Sequence, residues 1–566
     1  MIVYRSQHRQ ADPAEVLDGL LRCAGELARS PSHDSVVDLL IGTGALEAAV
    51  ADARHETEDD WDEIDRRFRR ASVEAGDLLR LSWEGRPEDA AARAGALVAR
   101  LAAIPAAALP RSVPLQLPEG YVHYGVHPES YLIAAERCAG DLRPARAVCI
   151  GLRSIGSSLS AVVAAVLESR GCAVASYTVR PRGHPFDRHL TLASRLEKAL
   201  AEARDALFLL VDEGPGLSGS SLAGSASALS RLGIPDERIV LLPSWRTDGC
   251  GLRSAEARSR WSRHRQFTAS FEETWIASGR LLPEDAPPRD LSAGEWRAHF
   301  ALAPPWPAVH PQHERRKLLT DSRLLSFSGL GGKARERLAR ARALADAGFF
   351  PAPLGTTNGF LVRHAVAGVP VAPGAQDPAL LEVMARYLAH LSRNFPQGPA
   401  SGGELREMVD LNVAEALGPQ AERLLATYRR RQGDVCDEMP VALDGRMFPH
   451  EWLRTASGYV KVDALDHHDD HFFPGCRDIA WDVAGTCVEF ELGSAEQRHF
   501  VDRYRELSGD RSIAARLPAF RVAYLAFRTG YAHMAAESLG DSPDGRRFSG
   551  LASRYDASLR AELGDG

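Results

Sequence analysis

The sequence predicts an α/β protein in successive parts: a helical N-terminal region (1–115), a doubly wound parallel-sheet domain (116–275), a proline-rich linker or wrap (276–318) and an α+β domain (319–566). Three observations carry this. Residues 12 to about 105 repeat apolar positions at helical spacing with few β-branched runs. From Arg146 to Ser244, short apolar runs alternate with helical stretches, the signature of βαβ units. Beyond the prolines, strand-like and helical segments mix again and end in a largely helical tail.

The N-terminal helices are read from "PAEVLDGLLRCAGELARS", "DDWDEIDRRFRRASVEAGDLLRLSW" and "AARAGALVARLAAI". "GTGALEAAV" has no strand before it and no GK[ST] after it, so it predicts a helix cap or turn rather than a phosphate loop. In the middle part, "RAVCIGL", "AVASYTV", "ALFLLVD" and "RIVLLPS" predict strands, each of the first three leading through an unusual loop into a helix. Ligands of such sheets bind at the carboxyl ends of the strands. "LLPEDAPPRDLS" and "ALAPPWPAVHPQ" break periodicity. After them come "KARERLARARALADAG" as a helix, "NGFLVRHAV" as a strand and "PALLEVMARYLAHLSRNF" as a helix.

A net charge of −7 over 566 residues gives no basic footprint for nucleic acid or for an anionic membrane. Eight cysteines without a CxxC pair read as structural thiols of a reducing compartment. With no signal-peptide core and no run of eighteen apolar residues, the expectation is a cytoplasmic protein with small-molecule substrates, a homodimer left open, and no nucleic-acid or membrane partner.

The stretch "LFLLVDEGPGLSGSS" concentrates the chemistry. Gly214, Gly216 and Gly219 spell GxGxxG, yet the next strand ends in Ser244 and Trp245 instead of the acid a dinucleotide site needs. Asp212 and Glu213 would repel a bare pyrophosphate and suit hydroxyl groups or a bridging Mg²⁺. Ser218, Gly219, Ser220 and Ser221 stand where a helix N-terminus favours a phosphate.

This segment resembles the 5-phosphoribosyl-1-diphosphate (PRPP) motif of type I phosphoribosyltransferases. The resemblance implies that Asp212 and Glu213 hold ribose hydroxyls and that Gly214, Gly216 and Ser218 to Ser221 cradle the 5-phosphate. It places Arg153, Ser154, Ile155 and Gly156 at the leaving diphosphate. It also makes "TVRPRGHPFDRH" a closing segment in which Arg180 and Arg182 stabilise the charge that builds on diphosphate. His184 is left open between an acid and a turn residue, and the acceptor hood between "YVHYGVHPESY" and the segment after Trp245.

Residues from 319 resemble aminoglycoside-phosphotransferase-like kinases, with "GVPVAP" at a hinge and "KVDALDHHDDHFFPGCRDIAWDVAG" as the acidic metal segment. "LDGRMFPHEWLR" stands where an HxDxxxxN loop is expected, and "SFSGLGGK" carries no V-A-I-K lysine, which predicts nucleotide binding with slow or absent transfer. The cluster from Asp463 to His471, with Asp463, Asp466 and Asp470 as metal candidates, is open among a solvated loop, a Mg²⁺ or nucleotide-metal site and a transition-metal site. The leading expectation is therefore a glycosyltransferase of the phosphoribosyltransferase type using PRPP and Mg²⁺, with ATP at the C-terminal domain. The alternatives are a nucleotide-sensing regulator without turnover and an ATP-dependent small-molecule kinase.

Overall fold

The computed structural model describes residues 1–4, 9–282, 287–375, 377–398, 402–432, 439–475 and 478–564. Four helices open the chain: α1 (Pro13–Leu27), α2 (His33–Arg54), α3 (Glu63–Trp83) and α4 (Pro87–Ala102). Asp12, Ser32 and Asp62 cap the first three by accepting backbone N–H groups left over at the helix starts. The "GTGALEAAV" segment lies inside α2 and not at a cap. Its Gly44 is needed there because a Cβ would stand 2.7 Å from Ser158 Cβ, so the glycine allows two helices to cross closely.

Helix α5 (Pro128–Leu142) leads into a parallel sheet whose strands are β1 (Arg146–Leu152), β2 (Ala173–Val179), β5 (Leu207–Val211), β6 (Ile239–Leu242) and β7 (Arg265–Gln266). Their order is β2-β1-β5-β6-β7. Helices α6 (Ile155–Ser169), α7 (Ser194–Glu202) and α8 (Ser220–Arg231) connect them. Alternate strand residues serve two cores: Cys149, Leu209, Val211 and Val240 face the N-terminal helices, whereas Ile150, Phe208, Leu210 and Leu241 pack with Leu222 and Trp261 on the other side. Burial on both faces explains the unbroken apolar runs. Between β2 and α7 the arginine-rich stretch folds as a hairpin, β3 (Arg182–His184) against β4 (Asp187–His189).

A second sheet, wholly antiparallel, follows: β8 (Arg289–Asp290), β9 (Lys317–Leu319), β10 (Arg323–Phe327), β11 (Pro353–Thr357) and β12 (Phe360–His364), in the order β8-β9-β10-β12-β11. Helix α9 (Lys333–Asp346) connects β10 to β11. The proline-rich stretch is thus more than a linker, since it supplies an edge strand and most of the long connection to β9. Past Val369 and Pro370 the chain enters a helical lobe beginning with α10 (Pro378–Asn394) and ending with α11 (Ala480–Glu489), α12 (Ser494–Ser508), α13 (Ile513–Leu539) and α14 (Pro543–Leu563). A hairpin, Trp452–Thr455 with Gly458–Lys461, lies between them.

All six cysteines among the described residues are free thiols, and Cys436 and Cys476 lie outside those residues. Among the described residues no helix is long and apolar enough to cross a membrane.

Candidate functional site

The parallel sheet brings the predicted loops together at its switch point, after β1 and after β5. The roles expected of the arginines change, because their partners come from the N-terminal helices. Arg153 is 3% exposed; its guanidinium bonds Asp52 at 2.7 Å and also Asp59, which is fully buried. Arg180 pairs with Asp52, and its backbone N–H donates to Asp59 at 2.7 Å. Arg182 reaches Asp59 at 3.1 Å and the carbonyl of His55 at 2.6 Å. These groups lock the sheet to α2 and the following loop instead of facing an open diphosphate site. Ser154 caps α6 at a φ of 107°, and Ile155 and Gly156 are buried, with a Cβ at Gly156 only 2.6 Å from the Val211 carbonyl. His184 stays exposed at the hairpin turn, where the Phe186 N–H donates to its ring.

In the second loop, Ser220 Oγ donates to the Pro185 carbonyl at 2.7 Å and so ties the loop to the hairpin, while Ser218 Oγ lies 3.0 Å from Ser220 Oγ. Gly219 adopts a φ of 67° just before α8, Gly214 and Gly216 line the turn, and Ser221 opens the helix. Among the described residues no cation forms an ion pair with Asp212 or Glu213. Burial pushes Asp212 up to about 6, and burial together with Asp212 and Glu119 pushes Glu213 up to about 8. Glu213 accepts the N–H of Gly120, where a Cβ would come within 2.4 Å of its Oε2.

That contact leads across the molecule. The turn containing Gly120 also presents the Val122 carbonyl to Arg315 at 2.9 Å, and Tyr124 Oη meets His471 Nε2 at 2.6 Å. Arg315 in turn pairs with Asp466 at 2.8 Å and Asp470 at 3.6 Å. Lys333 and Arg337 of α9 hold Asp469 at 2.8 and 3.5 Å. The acidic cluster therefore docks α9 and Arg315, and it divides: Asp463, Asp466 and His467 have ligand atoms within 4.8 Å of one another, whereas Asp470 groups with His123 and His471. The three metal candidates do not form one site.

Beside Asp463 lies a carboxylate that the sequence reading missed. Asp444 is fully buried; Tyr387 Oη donates to it at 2.7 Å, Lys461 Nζ stands 3.3 Å away, and His467 Nδ1 is 3.4 Å from Oδ1. The other nitrogen of His467 lies 3.4 Å from Asp463 Oδ1, so the imidazole bridges the two aspartates. Asp482 braces the turn by accepting the N–H groups of Asp444 and Gly445 at 2.8 and 2.9 Å. Burial opposes charge throughout, but the pairing outweighs it. Lys461 and His467 hold Asp444 down at about 2; His467, Lys317 and Arg446 hold Asp463 well below the carboxylate range. Burial and Arg446 press His467 downward, yet Asp463 and Asp444 carry it up to about 9. Lys461 Nζ also donates to Glu451 at 2.7 Å.

Lys317, on the second strand of the antiparallel sheet, is 3.6 Å from Asp463 and supplies the strand cation that "SFSGLGGK" did not. Helix α9 bears Lys333 and Arg337 toward the acidic turn. Two spaces lie near this cluster. One of about 120 Å³ lies under the sheet, among Leu319, Leu324, Val366, Leu453 and Asp463. The other, about 390 Å³, is walled by aromatic rings and by Gly445 and Arg446, the residues that follow Asp444.

No family model matches the chain, and no curated protein matches it. Solved structures do superpose on about half of it. A choline/ethanolamine kinase family protein from Mesorhizobium loti aligns at 16% identity over 48% of this chain and 97% of its own, with a TM-score of 0.33. A choline kinase from Streptococcus pneumoniae aligns at 14% over 43% and 89%, TM-score 0.31. A macrolide 2'-phosphotransferase from Brachybacterium faecium aligns at 14% over 43% and 88%, TM-score 0.30. The expected glycosyltransferase of the phosphoribosyltransferase type, and PRPP with it, is corrected on the site itself: the arginines expected at diphosphate are paired with Asp52 and Asp59.

Proposed function

We propose that the chain is a phosphotransferase moving the terminal phosphoryl group of a nucleotide, ATP in the simplest case, to a hydroxyl of a small molecule. The observation that carries the proposal is the pair Asp444 and Asp463, on separate turns, joined through His467 where the antiparallel sheet meets the helical lobe. Phosphoryl transfer asks mainly for positioning and for charge stabilisation, with one carboxylate near the hydroxyl and another at a metal ion.

Asp463 and Asp466 offer hard oxygens within 4.8 Å of each other that would suit Mg²⁺ once Arg315 is displaced from Asp466. When bound there, the ion would supply charge neutralisation at the transferring phosphoryl oxygens. Lys317 and Arg446, both within 3.7 Å of Asp463 and also paired with Glu314 and Glu451, would lend positive charge near the phosphate oxygens. Asp444, ionised, orients the acceptor hydroxyl and takes its proton as the bond to phosphorus forms. Lys461 opposes this role by neutralising Asp444, so the reading carries a slow rate with it.

The test is incubation of the full chain with γ-labelled ATP, Mg²⁺ and a metabolite pool, followed by mass detection of phosphorylated products. The expected outcome is a labelled small molecule whose formation falls at least 100-fold in Asp463→Ala, since removing a charge-stabilising partner of a phosphoryl group costs about 10²-fold or more. No transfer by the unaltered chain would overturn the proposal.

A further inference from the structure

We infer that the cavity of about 390 Å³ beside Asp444 takes a small anionic molecule with an apolar or aromatic body, and that Arg528 is the residue that selects the anion. Calling this occupant the acceptor rests on the phosphotransferase reading; its charge does not.

Arg446 donates to Glu451 at 2.8 Å. Arg547 donates to Asp544 at 3.1 Å. Arg554 donates to Glu491 at 2.9 Å and Glu489 at 3.1 Å through its terminal nitrogens, with its Nε left without a partner among the described residues. The acids on the wall are committed as well. Glu314 accepts from Trp296 Nε1 at 2.9 Å and from Lys317 at 3.1 Å, and Asp470 faces Arg315.

Arg528, on α13, is what remains. It is 7% exposed, and its Nε has no hydrogen-bond partner among the described residues. The nearest carboxylate is Glu489 Oε1 at 3.8 Å, beyond hydrogen-bond reach. That oxygen already accepts from Tyr524 and Tyr555 at 2.8 and 2.7 Å, and Oε2 is taken by Arg554. The guanidinium stands 4.7 Å from the Phe448 ring centre, 5.3 Å from Tyr531 and 5.6 Å from Tyr555. Ring faces attract the cation, and beyond a hydrogen bond to Tyr555 they give its N–H groups no carboxylate partner. A buried, always-charged donor fork at the wall of an aromatic cavity fits a carboxylate or phosphate, and the rings fit an apolar remainder.

Isothermal titration of the full chain tests this with phenyl phosphate and phenylacetate as anions, benzyl alcohol as the neutral match and benzyltrimethylammonium as the cationic match. We expect both anions to bind, the other two to bind at least tenfold more weakly, and Arg528→Met to weaken the anions tenfold or more while Arg528→Lys keeps most of the affinity. A second variant guards against misfolding of the first: Gly550→Trp grows from a cavity-wall position whose Cβ meets nothing within 4 Å, and should block the anions equally. The inference falls if the cation binds as tightly as the anions, if no anion binds, or if Arg528→Met and Gly550→Trp both bind anions like the unaltered chain. Asp463→Ala separates the two readings. Arg528-dependent anion binding that survives in Asp463→Ala, without any phosphoryl transfer by the unaltered chain, would keep this inference and remove the phosphotransferase one.

Discussion

Replacing Glu213 by glutamine removes an ionisable carboxyl from a position where Asp212 and Glu119 repel its charge. A raised carboxyl stabilises the fold while it is protonated: the contribution is complete below its ordinary value of 4.5 and is lost as pH rises through about 8. That difference corresponds to about 5 kcal/mol for a group wholly cut off from water. Glu213 is half-buried, and solvent screening reduces the expected figure to about 2 kcal/mol. The glutamine matches the protonated acid in shape and hydrogen bonding, so the variant should lose no such stability between pH 4 and 9. Amide exchange read by mass spectrometry over peptides covering 205–222, corrected for intrinsic rates, measures local opening without assuming two-state unfolding of so long a chain. In the unaltered chain protection should fall roughly 30-fold over that range beyond what the variant shows. Parallel pH profiles for the two proteins would refute the burial of a repelled carboxylate at this site.

Lys461→Met leaves Asp444 and Glu451 buried without their common counter-ion and should cost about 3–5 kcal/mol, read as a lower melting temperature, with Glu451→Gln recovering part of the loss. Arg153→Met takes from the fully buried Asp59 one of its two guanidinium partners, leaving Arg182 at 3.1 Å, and should destabilise by about 2 kcal/mol, whereas a free diphosphate-binding arginine would be replaceable at little cost in stability.

The parallel sheet was legible because its strands are short, buried on both faces and each followed by a turn, so that "CIGL", "LFLLV" and "IVLL" read without ambiguity. The hairpin of Arg182 to His189 was not, since it contains no β-branched residue and no apolar alternation. The arginines of the loops were visible, but their role was not: Asp52 and Asp59 lie roughly a hundred residues upstream of Arg153, and a pairing at that separation leaves no local pattern. The same holds for Asp444, which has no histidine two residues ahead of it and gains its partners from Tyr387, Lys461 and Asp482. Lys317 was hidden for a different reason, because the prolines before it made its strand read as part of a linker.

The turn from Glu119 to Tyr124 is held at both ends: Gly120 closes on Glu213, and Val122 and Tyr124 hold Arg315 and His471. Such a shared strut makes the two halves thermodynamically linked. Any ion or metabolite that binds differently according to how Gly120 sits against Glu213 must bias how Arg315 meets Asp466, and an occupant at the acidic turn must change affinity at the sheet by the same factor.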